Sequence, residues 1–260
     1  MKVLKNIVDI SRIFLSLVIA YLTIWTIATK WFDIYSMLRV LIVYLPALFF
    51  LVFKTKYLVR HPKLLLTYKI ARAFFIIWLI VFIGATIWRM NYLNNTKAAL
   101  DKINNARITM DDVMGTNLPP EPNKTLNDST IAGFDVNNNG IRDDVELAIF
   151  AKYPDSAKIR AGMLQYAQEI QSNLTNVINS ETWEAAFKDE NNGMSCLMEV
   201  VFEKYPGEEI KKSDEFLEEA ENLVLNTELR KNKINEIKKY EVSCAVGEGE
   251  CDVSLGALDN

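Results

Sequence analysis

The chain has 260 residues, half of them hydrophobic, and carries 29 lysines and arginines against 33 aspartates and glutamates. These charges are unevenly spread: residues 1–89 hold 12 basic and 2 acidic side chains, whereas residues 90–260 hold 17 and 31. This asymmetry excludes a single soluble globule and predicts a membrane part joined to an aqueous domain. The acidic second part argues against nucleic acid as a partner, because nucleic-acid binding needs clustered lysine and arginine.

The first part contains three uncharged apolar runs, at residues 13–29, 40–53 and 73–88. Each is shorter than the roughly 20 residues that cross a bilayer. The flanking Arg and Lys side chains can reach the headgroups, which extends each crossing segment by a few residues. We predict three transmembrane helices in contact with membrane lipid, at about 12–30, 34–53 and 71–89. The alternatives are buried helices of a soluble protein or a cleaved signal peptide. Both fit less well, because apolar residues surround each helix and no A-x-A-like site follows the first run.

The lysines and arginines of the loops predict the orientation of these helices. Only Lys30 and Arg39 lie between the first two runs, whereas six basic residues lie between the second and the third: Lys54, Lys56, Arg60, Lys63, Lys69 and Arg72. The amino terminus and the second loop are therefore predicted to be cytoplasmic. Three crossings then place everything after about residue 90 outside the cytoplasm. We expect an integral protein of a bacterial inner membrane.

The second part is predicted to be helical. Residues 91–128 are expected to form a short stalk and a proline-containing linker, and residues 129–260 a helical extracytoplasmic domain. The spacing of apolar residues predicts helices over 155–178 and 213–240, and Ser180 is expected to cap another helix between them. The predicted fold class of the whole chain is therefore all-α.

One motif in this domain is specific. Residues 135–146 read DVNNNGIRDDVE, which fits the calcium-loop pattern D-x-[DN]-x-[DN]-G-x5-E without a mismatch. Ca²⁺ prefers roughly six to eight oxygen ligands, and the alternating spacing directs three side chains to one point while Gly140 permits a sharp turn. The predicted calcium ligands are Asp135, Asn137, Asn139, the backbone carbonyl of Ile141, Asp143 and Glu146. The alternative is an asparagine-rich turn that binds no metal.

This segment resembles the calcium loop of the EF-hand family and its bacterial relatives, the dockerin and thrombospondin type 3-like loops. The resemblance covers twelve of the 260 residues and implies Ca²⁺ as the bound ion. Arg142 occupies the eighth position, where EF-hands carry an aliphatic residue that pairs neighbouring loops, and residues 130–134 contain Gly133 in place of an incoming helix. The chain has no second loop of this pattern. We therefore expect a single structural loop with a Kd of about 10⁻⁴–10⁻³ M.

The three cysteines, Cys196, Cys244 and Cys251, all lie in the second part. In an oxidising compartment, one disulfide and one unpaired thiol are expected. All three pairings are open, and Cys196–Cys251 is favoured because the carboxyl-terminal tail lacks apolar residues to anchor itself. The alternative is three unpaired thiols. No C-x-x-C motif indicates redox catalysis or zinc.

The sequence offers little for catalysis. Its one histidine, His61, falls in the predicted cytoplasmic loop, so the outer domain has no Ser-His-Asp or Cys-His arrangement. No glycine-rich phosphate-binding motif is present. Paired carboxylates could serve a glycosidase, but their setting on polar helix faces and loops favours a solvated surface. These pairs are Asp111/Asp112, Glu208/Glu209, Asp214/Glu215 and Glu218/Glu219.

Together these features predict a membrane-anchored, calcium-stabilised binding or structural module that has a protein partner outside the cytoplasm and is not itself an enzyme. The main alternative is a calcium-responsive envelope sensor or assembly factor, and a hydrolase that uses the paired carboxylates comes third. A sensor would change its surface when calcium binds, whereas a structural loop would change only the stability of the domain.

Overall fold

The computed structural model describes residues 62–242 and 249–258. Every regular element in these ranges is a helix, which confirms the all-α prediction. The α-helices are α1 Pro62–Asn105, α2 Met110–Met114, α3 Lys124–Asp128, α4 Asp143–Lys152, α5 Ala157–Asn176, α6 Ser180–Lys204, α7 Glu209–Val224 and α8 Glu228–Ile237. Short 3-10 turns occupy Lys238–Tyr240 and Leu255–Ala257. The membrane helices predicted at about 12–30 and 34–53, as well as His61 and Cys244, lie outside the described residues.

The chain divides into two compact units, Met1–Trp88 and Arg89–Asn260. The described residues of the first unit belong to α1, where apolar side chains are exposed, namely Ile76, Ile77, Ile80, Val81, Ile83 and Ile87. In the described part of the chain, no helix has both the length and the apolar character needed to cross a membrane. The third membrane helix predicted at about 71–89 is therefore not confirmed. Instead, its residues belong to a 44-residue helix that continues to Asn105 and includes the predicted stalk.

The second unit has its core between α5 and α6, with α7 packed against both. Helix α5 begins at Ala157 because the Ser156 hydroxyl accepts a hydrogen bond from Ile159 N, and it is buried along most of its length. Gly162 lets α6 approach closely, since a Cβ at this position would lie 2.9 Å from Leu197 Cα. Several elements contribute apolar side chains to this core, among them Val113, Ile149, Met163, Leu164, Val201, Phe216 and Val224.

Two predicted helix boundaries are wrong. Asn179 rather than Ser180 caps α6, because the side chains of Asn179 and Thr182 form a reciprocal capping box. The single helix expected over 213–240 is interrupted between α7 and α8. The Thr227 side chain accepts a hydrogen bond from Arg230 N and starts α8. A capping side chain can therefore begin a new helix even where the apolar spacing continues.

A disulfide joins Cys196 in α6 to Cys251 in the carboxyl-terminal tail, which confirms the favoured pairing. The expectation that this tail lacks apolar anchors was wrong, since Val253 and Leu258 are buried in the core. In addition, the side chain of Gln165 accepts a hydrogen bond from one backbone group of the tail and donates to another. A disulfide, apolar packing and hydrogen bonds therefore attach the tail to the helical core.

Candidate calcium loop

The segment from Asp135 to Arg142 turns the chain sharply before α4 begins. Both carboxylate oxygens of Asp135 accept backbone hydrogen bonds from within the loop, from Asn139 N at 3.1 Å and from Gly140 N at 3.0 Å. Gly140 has a φ of +82°, a left-handed conformation that glycine adopts without the steric cost of a Cβ. The turn therefore requires glycine at the position where the calcium-loop pattern has it.

Hydrogen bonds connect this turn to the carboxylates at the start of α4. Asp143 Oδ1 accepts from Val136 N at 2.9 Å. The amide nitrogen of Asn137 donates to Glu146 Oε2 at 3.0 Å. The loop and the first turn of α4 thus bring the predicted ligands into one connected network.

Two oxygen atoms of this network are buried and unpaired. Asp143 is fully buried, and Glu146 is 1% exposed. Among the described residues, Asp143 Oδ2 and Asn137 Oδ1 belong to the few buried side-chain atoms that have no hydrogen-bond partner. Buried polar atoms are almost always paired, since leaving them unpaired costs free energy. A carboxylate oxygen and an amide oxygen are also the atom types that a hard cation such as Ca²⁺ binds.

The electrostatics of Glu146 fit a neighbouring cation. Burial raises the pKa of Glu146 to about 7, although the hydrogen bond from Asn137 opposes this effect. Repulsion from the carboxylates of Asp112 and Asp143 raises the same pKa further. A buried carboxylate among other acids is stabilised in its charged form when a positive charge lies close to it.

Arg142, the departure from the EF-hand pattern at the eighth position, is directed into the helical domain. It is fully buried, and its guanidinium donates to the carbonyls of Leu223 at 2.8 Å and Val224 at 3.0 Å, at the end of α7. It also forms an ion pair with Asp144. The eighth position therefore joins this loop to its own domain, a role that only a long side chain with several donors can fill.

The described residues include no group of three or more histidine, cysteine, aspartate and glutamate side chains that could hold a metal ion. The loop offers only three carboxylates, from Asp135, Asp143 and Glu146, and its other predicted ligands are two amides and the Ile141 carbonyl. The structure places the six predicted ligands in one turn and the start of one helix. Their oxygens do not form a completed shell, because Asp135 accepts backbone N–H groups and Asn137 turns its nitrogen toward Glu146.

Two side chains from outside the loop contact it and were not predicted. The amide nitrogen of Asn139 donates to Asp112 Oδ1 at 3.4 Å, and Gln168 in α5 donates to the Asn139 carbonyl. The T-x-x-D spacing of Thr109 and Asp112 is a capping signal that a sequence reading could have used. This signal predicts the start of α2, but it carries no information on which distant segment Asp112 contacts.

The paired carboxylates considered for a hydrolase are exposed or half-buried. Glu215, Glu218 and Glu219 line an open groove of about 500 Å³ together with Lys152. Glu219 pairs with Lys152 at 2.6 Å and accepts a hydrogen bond from the Tyr153 hydroxyl at 2.8 Å. These contacts are typical of surface ion pairs, so the groove gives no support to the hydrolase alternative.

Glu169 in α5 has a pKa that is raised more than that of Glu146, and the sequence did not predict it. It is 5% exposed and accepts a hydrogen bond from Gly193 N in α6 at 2.8 Å. Burial raises its pKa to about 9, although a hydrogen bond from Gln165 opposes this effect. The contact depends on glycine at position 193, because a Cβ there would overlap the Glu169 carboxylate. Glu169 therefore serves the packing of α5 against α6.

Comparisons with protein-family models, curated proteins and solved structures gave no match.

Proposed function

We propose that the chain is a membrane-anchored binding or structural module, without catalysis of its own, whose helical extracytoplasmic domain is stabilised by one calcium ion. It engages a protein partner outside the cytoplasm through this domain. The proposed ligands are Asp135, Asn137, Asn139, the Ile141 carbonyl, Asp143 and Glu146. When bound, the ion would supply positive charge beside the carboxylates of Asp135, Asp143 and Glu146.

The observation that carries the proposal is the pair of buried, unpaired oxygens, Asn137 Oδ1 and Asp143 Oδ2, within a segment that fits the calcium-loop pattern. Both atoms gain a partner if a cation binds. Asn137 now donates to Glu146, and rotation of its amide would present oxygen in place of nitrogen. The cation would then replace this hydrogen bond at the Glu146 carboxylate.

Membrane anchoring and an outer location are supported by separate observations. The uncharged runs at 13–29 and 40–53 lie outside the described residues, and the apolar side chains exposed between residues 76 and 87 add to them. The disulfide between Cys196 and Cys251 is typical of an oxidising compartment, and it supports an outer location separately from the lysines and arginines of the loops.

Adding calcium should raise the melting temperature of the purified full chain, and Glu146→Gln should lose most of this rise. Ligand at a hundredfold excess over its Kd stabilises a folded protein by about 2.7 kcal/mol, provided that it binds only the folded form. For a domain of this size, the shift corresponds to about 5–10 °C. Glutamine keeps the size of the side chain and still accepts from Asn137, so melting in chelator should barely change. Calorimetry in about 10–100 mM calcium, a hundredfold excess over the expected Kd, and in chelator measures both.

The matched control is Glu184→Gln, which makes the same change at an exposed position of α6 and should keep the full calcium response. Asp135→Asn should also lose the calcium response, but it should melt lower in chelator as well, because one of the two oxygens that accept backbone N–H groups is replaced by an NH₂ group. Asp144 lies outside the proposed shell but pairs with the buried Arg142, so its replacement should lower stability with or without calcium. A full chain whose melting curve is the same in calcium and in chelator would refute calcium binding.

Cysteine labelling of intact cells should place residues 56 and 95 on opposite sides of the membrane. Lys56→Cys lies in the basic second loop, and Asn95→Cys lies after the last uncharged run. Because basic loops stay in the cytoplasm, an impermeant thiol reagent should label position 95 but reach position 56 only after the membrane is opened. Labelling of both positions from the same side would contradict the proposed topology.

One observation favours a calcium-responsive sensor or assembly factor as the second candidate. The Asn137 amide also donates to the carbonyl of Asn117 at 3.1 Å, and Asn139 contacts Asp112. Rotation of the Asn137 amide would therefore break its hydrogen bond to Asn117, in the segment that connects α2 and α3. Amide hydrogen exchange separates the candidates, because a sensor changes protection around 109–118 with calcium, whereas a structural loop changes it mainly within 135–146.

A further inference from the structure

Asp112 lies beside the calcium loop, although it belongs to α2 and precedes Asn139 by 27 residues. Its Oδ2 accepts hydrogen bonds from the backbone N–H and from the hydroxyl of Thr109, both at 2.7 Å. This capping box holds the carboxylate in place. Its other oxygen, Oδ1, lies 3.4 Å from the amide nitrogen of Asn139.

Asn139 is the fifth-position ligand of the proposed site, and it can serve only if its amide presents oxygen to the ion. At present its Oδ1 accepts from Ile141 N at 2.9 Å, within the loop, while its Nδ2 donates to Asp112 outside the loop. An acceptor that holds the nitrogen on the outer side keeps the oxygen on the loop side. Partners of this kind orient metal ligands and raise the affinity of the site.

We propose that Asp112 is a positioning residue of the calcium loop, which orients the Asn139 amide and adds a fourth negative charge beside the three carboxylates of the loop. This inference rests on the proposed function. The unpaired buried oxygens Asn137 Oδ1 and Asp143 Oδ2 support a cation at this place, and they do not depend on the contact between Asp112 and Asn139. The turn that starts α2 thereby controls how tightly the loop holds its ion.

Asp112→Asn should weaken calcium binding by the full chain about tenfold, within the range seen when such a partner of a metal ligand is lost. Binding of Tb³⁺ should weaken more than that of Ca²⁺, because the attraction lost with a carboxylate grows with the charge of the ion. Calorimetric titrations with calcium chloride and terbium chloride measure both constants. Asp111→Asn, which removes the neighbouring exposed carboxylate, should leave both affinities unchanged.

Thr109→Ala tests the contribution of the helix cap separately from that of the Asp112 charge. It removes the hydroxyl of the capping box but keeps the Asp112 carboxylate, so it should lower the melting temperature in chelator without changing the ratio of terbium to calcium affinity. Asp112→Asn should lower that ratio. If Asp112→Asn binds both ions as tightly as Asp111→Asn, the positioning role is wrong and the calcium loop stands. If the unsubstituted chain binds neither ion, both proposals are wrong.

Discussion

Replacing Arg230 with methionine should destabilise the helical domain by about 3–5 kcal/mol, the range expected when a buried charged group is removed and its partners stay buried. Arg230 is fully buried in α8, and its guanidinium donates to the carbonyls of Asn127, Thr130 and Ile131 at 2.7, 3.0 and 3.1 Å. Methionine has a similar length but donates no hydrogen bond. The three carbonyls would therefore lose this partner without gaining water in exchange.

Urea unfolding of the full chain measures this loss as a lower transition midpoint. The midpoint of Arg230→Lys should lie between those of the unsubstituted chain and Arg230→Met. A single ammonium keeps the charge but cannot reproduce the planar fork of donors. Lys231→Met removes the next, exposed cation and should change the free energy of unfolding by less than about 0.5 kcal/mol. Equal midpoints for Arg230→Met and Lys231→Met would show that the guanidinium does not stabilise residues 127–131.

Replacing Cys196 and Cys251 with alanine should lower the free energy of unfolding by about 4 kcal/mol. The cross-link joins residues that are 55 positions apart, and the chain-entropy relation gives about this value for a loop of that length in the unfolded state. Val253 and Leu258 keep their places in the core. The variant should therefore retain its helical content and lose stability alone.

Unfolding in guanidinium chloride, without a reducing agent, measures the difference. Cys244→Ala leaves the Cys196–Cys251 bond intact and should unfold like the unsubstituted chain. If Cys244→Ala instead loses as much stability as the double variant, Cys244 takes part in the bond that stabilises the domain. Reduction of the unsubstituted chain should lower its transition to that of the double variant.

The features that could be predicted from the sequence are local ones. The proposed calcium ligands lie within twelve residues, so their spacing alone predicts the sharp turn at Gly140. Apolar residues three and four positions apart predicted α5 closely, because its buried surface follows the helical repeat. The Cys196–Cys251 pairing was favoured correctly, although the buried Val253 shows that the tail does have apolar anchors.

The features that could not be predicted depend on contacts between distant segments. Arg230 looks like one more cation on a polar helix, and only the fold brings it to the carbonyls of residues 127–131. Asp112 looks like an exposed acid beside Asp111, and only the fold brings it to Asn139. A polar side chain that pairs with backbone groups far away in sequence leaves no periodic signal.

The burial of Arg142 determines how the occupancy of this loop would change with the calcium concentration. In paired loops the eighth residues meet, so that filling one loop prepares the other, whereas Arg142 is engaged with the carbonyls of Leu223 and Val224. Without a coupled neighbour, occupancy would follow a simple hyperbola and need an about eightyfold rise in calcium to pass from one-tenth to nine-tenths full. The stability of the domain would then rise gradually with the calcium concentration, without a threshold.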